Sequence, residues 1–327
     1  MLNGHGDDIF KYKDIRINFS SNVYNHFDHE GLFSYLADRL DYVVNYPEPS
    51  PSTLEAELAM MLGIKADELM VTNGATEAIY LIAQTFRDST STIMTPTFAE
   101  YADACRLHGH DISRGGDMCW LCNPNNPTGT VTPKDELIAK IESHPDVTFV
   151  IDASYAPFTR QPLLSASEAA AYPNVLMLHS MTKEFAIPGL RLGYLTGCTT
   201  LLEPIRRQRM PWSVNQVAID AGHYLIRHSD EFWFDLDALL NERKRVEEEL
   251  KKLGVIEVWP SDTHILLCRL RFGNAAALKD YLASEHGILI RDASNFEGLD
   301  RSFFRIAVQT KEENDELIER IAQWMEE

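Results

Sequence analysis

Neither a G-x-G-x-x-G fingerprint nor a P-loop occurs in these 327 residues. Nucleotide binding is therefore not expected, since both motifs supply the glycines that let a backbone wrap a phosphate chain. Basic residues are scarce: 30 Lys and Arg stand against 49 Asp and Glu, a net charge of −19. A nucleic-acid partner requires a basic face, which this balance does not offer. Cysteine is sparse too. The five residues are odd in number and follow no framework spacing, as expected in a reducing compartment. No apolar run reaches the length of a membrane span. The first residues, Met1 to Gly6, lack the basic start and apolar stretch of a signal peptide. The expected location is the cytoplasm, with no membrane partner. The histidines show no ligand spacing, so no metal is expected. Core material is abundant: 45% of residues are hydrophobic, enough for one large domain and a smaller one.

The first fifty residues are rich in aromatics, Asn and Pro. They read as an extended arm with one amphipathic helix over 32–40. Beyond Thr53 short apolar strands alternate with helices. The strands are expected at 69–72, 92–95, 118–122, 147–151 and 175–178, and the helices at 54–62, 75–86, 99–107 and 134–141. This pattern predicts an α/β fold with a mostly parallel central sheet and helices on both faces. A long helical region over 215–253 carries a charged run, Glu242 to Lys252, that suits a solvated face. Strands at 265–270, 288–290 and 303–308 with helices at 275–286 and 311–324 then predict a compact α+β domain. The expected division is an arm over 1–45 that packs with the small domain, a large domain over 46–235 and a small domain over 236–327.

In such sheets the chemistry gathers beyond the carboxyl ends of the strands, and the candidate residues stand there. Ser180-Met181-Thr182-Lys183 follows the strand at 175–178, and Arg191 follows soon after. A lysine set between hydroxyls suits Schiff-base chemistry with pyridoxal phosphate, with the hydroxyls and the arginine holding the phosphate; a solvated lysine is the plain alternative. Asp152 ends an apolar strand, where a carboxylate could pair with a pyridine nitrogen or simply cap a turn. Tyr155, three residues on, could bond a ring hydroxyl. The run Cys122-Asn123-Pro124-Asn125-Asn126-Pro127-Thr128-Gly129 is a rigid turn able to aim the Asn126 amide at a ring oxygen or a carboxylate. Gly74, Ala75 and Thr76 open a helix whose free N–H groups can bind phosphate. Phe98 could stack on a ring or sit in the core. Arg305 interrupts an apolar strand, and a buried guanidinium calls for a partner: a substrate carboxylate, or an internal salt bridge. Cys119 and Cys122 match C-x-x-C, but their place inside a strand argues against a redox or zinc role. His5 lies in a Gly-flanked loop and is a candidate for substrate contact.

Taken together, these residues resemble the fold-type I, class I/II pyridoxal-phosphate enzymes over nearly the whole chain. Two branches stand out, histidinol-phosphate aminotransferase and the threonine-phosphate decarboxylase of cobalamin biosynthesis. The decarboxylase is the nearer on the stretches His5-Gly6, Asn18 to Asn22, Gly74 to Ala83, Thr182 to Tyr194, Pro211 to Asn215 and Arg291 to Thr310. The resemblance implies Lys183 as the Schiff-base lysine, Asp152 as the ring-nitrogen partner, and Tyr155 and Asn126 near the ring oxygen. Ala75, Thr76, Ser180, Thr182 and Arg191 become the phosphate cradle and Phe98 the stacking ring. Arg305 becomes the carboxylate clamp, with Asn22, His5 and Arg291 on the substrate side. Tyr46 resembles a tyrosine that reaches the neighbouring subunit's cofactor, which implies a homodimer.

The resemblance has departures. Ala153 stands where an acidic residue is usual, and His264 where Asn is usual. The segment from His110 to Met118 is short, and no Pro-Leu-Gly follows Asn22. The expected activity is L-threonine O-3-phosphate decarboxylation. The alternatives are transamination of histidinol phosphate with 2-oxoglutarate and a non-catalytic protein that keeps the fold.

Overall fold

The computed structural model describes residues 7–326. Strand β1 (Ile17–Asn18) is followed by an α-helix, Glu30–Ala37, and a 3-10 turn, Leu40–Val44. The helix expected over 32–40 thus starts and stops earlier. Asp28 accepts the Glu30 N–H at its start, and Leu32 is its only buried side chain, so little tertiary packing carries it further.

Strands β2 (Leu69–Thr72), β3 (Thr90–Ile93), β4 (Asp111–Ile112), β5 (Met118–Cys122), β6 (Thr148–Asp152), β7 (Val175–Ser180) and β8 (Gly193–Gly197) form one sheet in the order β2-β8-β7-β6-β5-β3-β4. Neighbours run parallel except β8, which is antiparallel to both β2 and β7. The mostly parallel sheet is as expected; β8 is not. Its terminal glycines suggest turns in the sequence, yet each is needed for close approach. A Cβ on Gly197 would meet the Val175 carbonyl oxygen at 2.9 Å, and one on Gly193 the Ala75 nitrogen at 2.7 Å.

Along β5, Met118, Trp120 and Cys122 pack with Val150, Leu176 and Leu178 on one face of the sheet. Cys119 and Leu121 pack with Phe149, Ile151 and Met177 on the other. The period of two therefore sends Cys119 and Cys122 to opposite faces.

The region over 215–253 is two helices, Gln216–Arg227 and Leu236–Lys252, rather than one. Asn215 and Asp235 each cap one by accepting a backbone N–H three residues on. The second buries Leu239, Val246 and Leu250, while pairs such as Glu247–Lys251 and Glu249–Lys252 line its wet side.

Beyond it come β9 (Ile256–Val258), β10 (Ile265–Leu270), β11 (Ile288–Leu289), β12 (Arg291–Asp292) and β13 (Phe303–Ala307). Four of these make an antiparallel sheet in the order β12-β13-β10-β9, while β11 pairs in parallel with β1. The N-terminal segment is therefore stitched down. Phe19 donates its N–H to the Leu289 carbonyl and accepts from Ala307 N–H, 2.8 and 2.9 Å. Phe19 and Val23 are buried.

Candidate active site

Parallel strands deliver their carboxyl ends to one edge of the sheet, and the loops leaving β2, β5, β6 and β7 meet there. Because β8 runs the other way, the residues just before it arrive at that same edge, which brings in Arg191. One cavity opens at this edge, and its walls hold Asn22, Ala75, Thr76, Phe98, Asn126, Asp152, Tyr155, Ser180, Thr182, Lys183, Arg191, Arg291 and Arg305. Thirteen of the residues singled out in the sequence thus share a single space, though they lie up to 283 positions apart.

Lys183 sits in the short helix Met181–Glu184. Its Nζ donates to the Ser21 carbonyl at 2.6 Å. Burial, with Arg305 and Arg191 nearby, brings the amine down to about 8, against a smaller upward pull from Asp7 and Asp152. An amine lowered this far is neutral in a much larger fraction near physiological pH than an ordinary lysine, and the neutral form is the nucleophile. Asp152 is buried. Its Oδ1 accepts from the backbone N–H and hydroxyl of Ser154, 2.9 and 2.5 Å, and its Oδ2 accepts from the Tyr101 hydroxyl, 2.6 Å. A carboxylate has about four acceptor positions, so one remains on Oδ2 for a cationic N–H. Burial and the adjacent carboxylate keep the Tyr101 phenol protonated, so it is a donor to Asp152. Tyr155 is buried and accepts from Asn22 Nδ2 at 2.9 Å. Phe98 meets Tyr101 edge to face at 5.8 Å.

The helix Gly74–Thr85 presents its N-terminus to the cavity, and the Asn73 side chain caps none of its N–H groups. Gly74 has φ +75° and does not line the cavity itself. A Cβ there would lie 2.6 Å from Arg191 Nη2, so glycine is what admits the guanidinium. The Ser180 and Thr182 hydroxyls bond each other at 2.6 Å. Backbone donors, hydroxyls and a guanidinium converging in this way make an anion cradle.

Arg305 is 4% exposed. Its partners are neutral: Asn126 Oδ1 and the Ser20 carbonyl, both at 2.5 Å. Its Nε is buried without a partner, and among the described residues no carboxylate forms an ion pair with it. The internal salt bridge left open by the sequence is thus not found. Arg291 lies opposite Arg305 in the β12–β13 ladder and donates to Asn295 Oδ1 at 2.7 Å. Ser21 Oγ and Asn22 Oδ1, also in the wall, are buried without partners. Buried polar atoms in this state are costly unless a ligand completes them.

The sequence matches the family described as aminotransferase class I and II over residues 14–118 and 111–321. The chain belongs to this family. Two curated relatives of this chain are a threonine-phosphate decarboxylase from Salmonella typhimurium and a histidinol-phosphate aminotransferase from Caldanaerobacter subterraneus subsp. tengcongensis. The first is 30% identical over 307 residues, covering 86% of this chain and 84% of the relative. The second is 29% identical over 296 residues, covering 84% and 82%. The crystal structure of L-threonine-O-3-phosphate decarboxylase from Porphyromonas gingivalis is 36% identical and superposes with a TM-score of 0.93, covering 95% of this chain and all of the other.

Two further residues singled out in the sequence are not among those in the wall. Tyr46 is 84% exposed, packs on Trp212 at 5.2 Å and does not line the cavity of its own chain. His5 falls outside the described residues. Residues that sequence reasoning passed over include Tyr101, Ser154, Asp7 and Asn295, all in the cavity wall. Ser154 was legible as an Asp-x-Ser turn. Tyr101, one helical turn after Phe98, carried a weaker signal, because an aromatic in an apolar helix reads as core.

Proposed function

We propose that this protein is a pyridoxal-phosphate-dependent enzyme acting on a phosphorylated amino acid, most specifically L-threonine O-3-phosphate decarboxylase. The observation that carries the substrate class is the Arg305–Arg291 pair. Two guanidiniums stand side by side in the cavity that holds Lys183, and Arg305 has only neutral partners and a bare Nε. Two anionic groups on one small molecule, a carboxylate and a phosphate, answer that demand. Family membership supports the cofactor, and the relatives' names support the reaction.

The residues present fit pyridoxal 5'-phosphate. Lys183 offers an amine, Asp152 Oδ2 a free acceptor position, and Phe98 a flat face. The helix N-terminus at Ala75 and Thr76 offers an anion site together with Ser180, Thr182 and Arg191. When bound, the cofactor supplies an electron sink for the pair left at Cα when a bond there breaks. The chain's part is to hold the ring nitrogen protonated through Asp152, to bond the ring oxygen through Tyr155 and Asn126, and to orient substrate anions through Arg305 and Arg291 with Asn22. Lys183 Nζ, with its proton affinity near neutral, returns a proton to Cα.

The same proposal includes a homodimer in which Tyr46 reaches the neighbouring site, and a cytoplasmic location. Support for the first is the exposed apolar set around Tyr46. Support for the second is five cysteines that form no disulfide and, among the described residues, no helix long and apolar enough to cross a membrane. The division into arm, large domain and small domain belongs to the proposal as well. In its favour, the boundary near 235 falls between the helices Gln216–Arg227 and Leu236–Lys252.

Transamination is the second reading, favoured by the histidinol-phosphate aminotransferase at 29% identity. Purified protein supplied with pyridoxal phosphate and L-threonine O-3-phosphate is expected to release CO2 with no 2-oxo acid present. Glutamate formation from histidinol phosphate and 2-oxoglutarate, with no CO2 released from L-threonine O-3-phosphate, would overturn the proposal in favour of transamination.

A further inference from the structure

The Lys183 amine and the Arg305 guanidinium share an anchor. Both donate to consecutive backbone carbonyls of one turn, Lys183 to Ser21 at 2.6 Å and Arg305 to Ser20 at 2.5 Å. That turn is set by Asn18, whose Oδ1 accepts the N–H groups of Ser20 and Ser21, 2.8 and 3.2 Å. Asn18 in turn is held by Asp7. Its Nδ2 donates to Asp7 Oδ1 at 2.6 Å, and the Asp7 N–H donates to Ser20 Oγ at 3.1 Å. Asp7 itself lines the cavity and has φ +57°, a left-handed conformation that costs a non-glycine residue free energy and is found disproportionately at functional sites. The next residue, Asp8, is fastened by a buried ion pair to Lys279 at 2.6 Å, which fixes Asp7 from the other side.

We propose that Asp7 is a positioning residue that locks the Asn18–Asn22 turn, and with it the carbonyls holding Lys183 and Arg305, into the wall of the cavity. This deepens the reading of Lys183 as the cofactor-bearing lysine and rests on it. The carbonyl of Ser21 is the seat of the free amine, the form that exists before the cofactor is loaded and again after substrate displaces the lysine. Electrostatics act through the same contact. Facing the amine are Arg305 from β13, Arg191 from the loop before β8, Asp152 from β6, His264 just before β10 and Asp7 from the N-terminal segment. Asp7 favours the protonated amine and the two arginines oppose it, so removing the Asp7 charge lowers the pH at which the amine loses its proton.

The test is acylation of Lys183 by a small amine-reactive reagent in cofactor-free protein, followed against pH by mass spectrometry of the peptide. Only the neutral amine reacts, so the midpoint reports proton affinity and the plateau reports how the amine is held. Asp7→Asn keeps an acceptor for Asn18 and tolerates a left-handed φ. It is expected to lower the midpoint by about half a pH unit and leave the plateau unchanged. Asp7→Gly relieves the backbone, so it folds. It is expected to lower the midpoint equally and also to change the plateau by about threefold, the size of one modest hydrogen bond. A plateau for Asp7→Gly equal to that of Asp7→Asn, or a midpoint equal to wild type in both, overturns the proposal. Failure of wild-type protein to take up pyridoxal phosphate would sink the reading of the site instead, and the acylation comparison would stand by itself.

Discussion

Asp152 shows how a single carboxylate becomes useful only through its neighbours. Three donors from Tyr101 and Ser154 fix its plane and leave one acceptor position on Oδ2. Removing the Tyr101 hydroxyl leaves that oxygen free to turn. Tyr101→Phe is expected to lower kcat about tenfold, matching the loss of one charge-assisted hydrogen bond worth about 1.5 kcal/mol. KM for the phosphorylated substrate should hold within about twofold, because Arg305 and Arg291 are untouched; steady-state kinetics of CO2 release checks both. At this scale the sequence was generous with residues whose type betrays chemistry, such as Lys183, Asp152 and Arg305. It was silent on the supports. Tyr101 and Asp7 have ordinary local contexts, and their roles exist only through partners 51 and 11 residues away.

The elements place these residues by close backbone contact. Gly193 at the start of β8 lies against the Ala75 nitrogen, the His179 carbonyl and the Gly74 carbon, at 2.7, 2.8 and 2.9 Å from where a Cβ would stand. All three are backbone atoms, so none can swing aside. Gly193→Ala is expected to destabilise the protein by about 2 kcal/mol through overpacking. It should also push the helix Gly74–Thr85 off its anion-binding position and weaken pyridoxal phosphate binding about tenfold. Thermal denaturation and a cofactor titration by absorbance measure the two effects. Most elements were legible from period and breakers: the bounds 69–72, 118–122, 265–270 and 275–286 agree with the structure. The antiparallel β8 was not, because a strand bounded by two glycines carries no local preference for pairing. The same holds for β11, a short apolar run that pairs with β1 across 271 residues and not with the C-terminal sheet.

At the scale of the molecule, the turn Leu40–Val44 and the helix Ser52–Leu62 both pack on the helix Gln216–Arg227, and Trp212 N–H bonds the Pro49 carbonyl at 3.0 Å. Here Val43, Val44 and Tyr46, with Trp212 packed on Tyr46, are exposed. Exposed apolar side chains gathered in this way mark an interaction surface. A second copy is the proposed occupant. Light scattering is expected to report twice the mass of the chain. Replacing Val44 and Tyr46 together by Asp is expected to shift the protein toward monomer and to lower activity by at least about tenfold, because each cavity would lose the tyrosine brought by its neighbour. A monomeric wild type with full activity would remove the shared site.

What the sequence determined by itself was the alternation of strands and helices, the α/β class and the residue types at the strand ends. These depend on local periodicity and on side chains whose chemistry is out of place on an ordinary surface. What only the tertiary structure decided was which neutral partners hold Arg305, where the Lys183 amine rests, and which residues stand behind Asp152. Those contacts join the N-terminal turn, the sheet edge and β13, segments that are distant in the chain and meet only after it folds. Local pattern carries no record of such distant pairings.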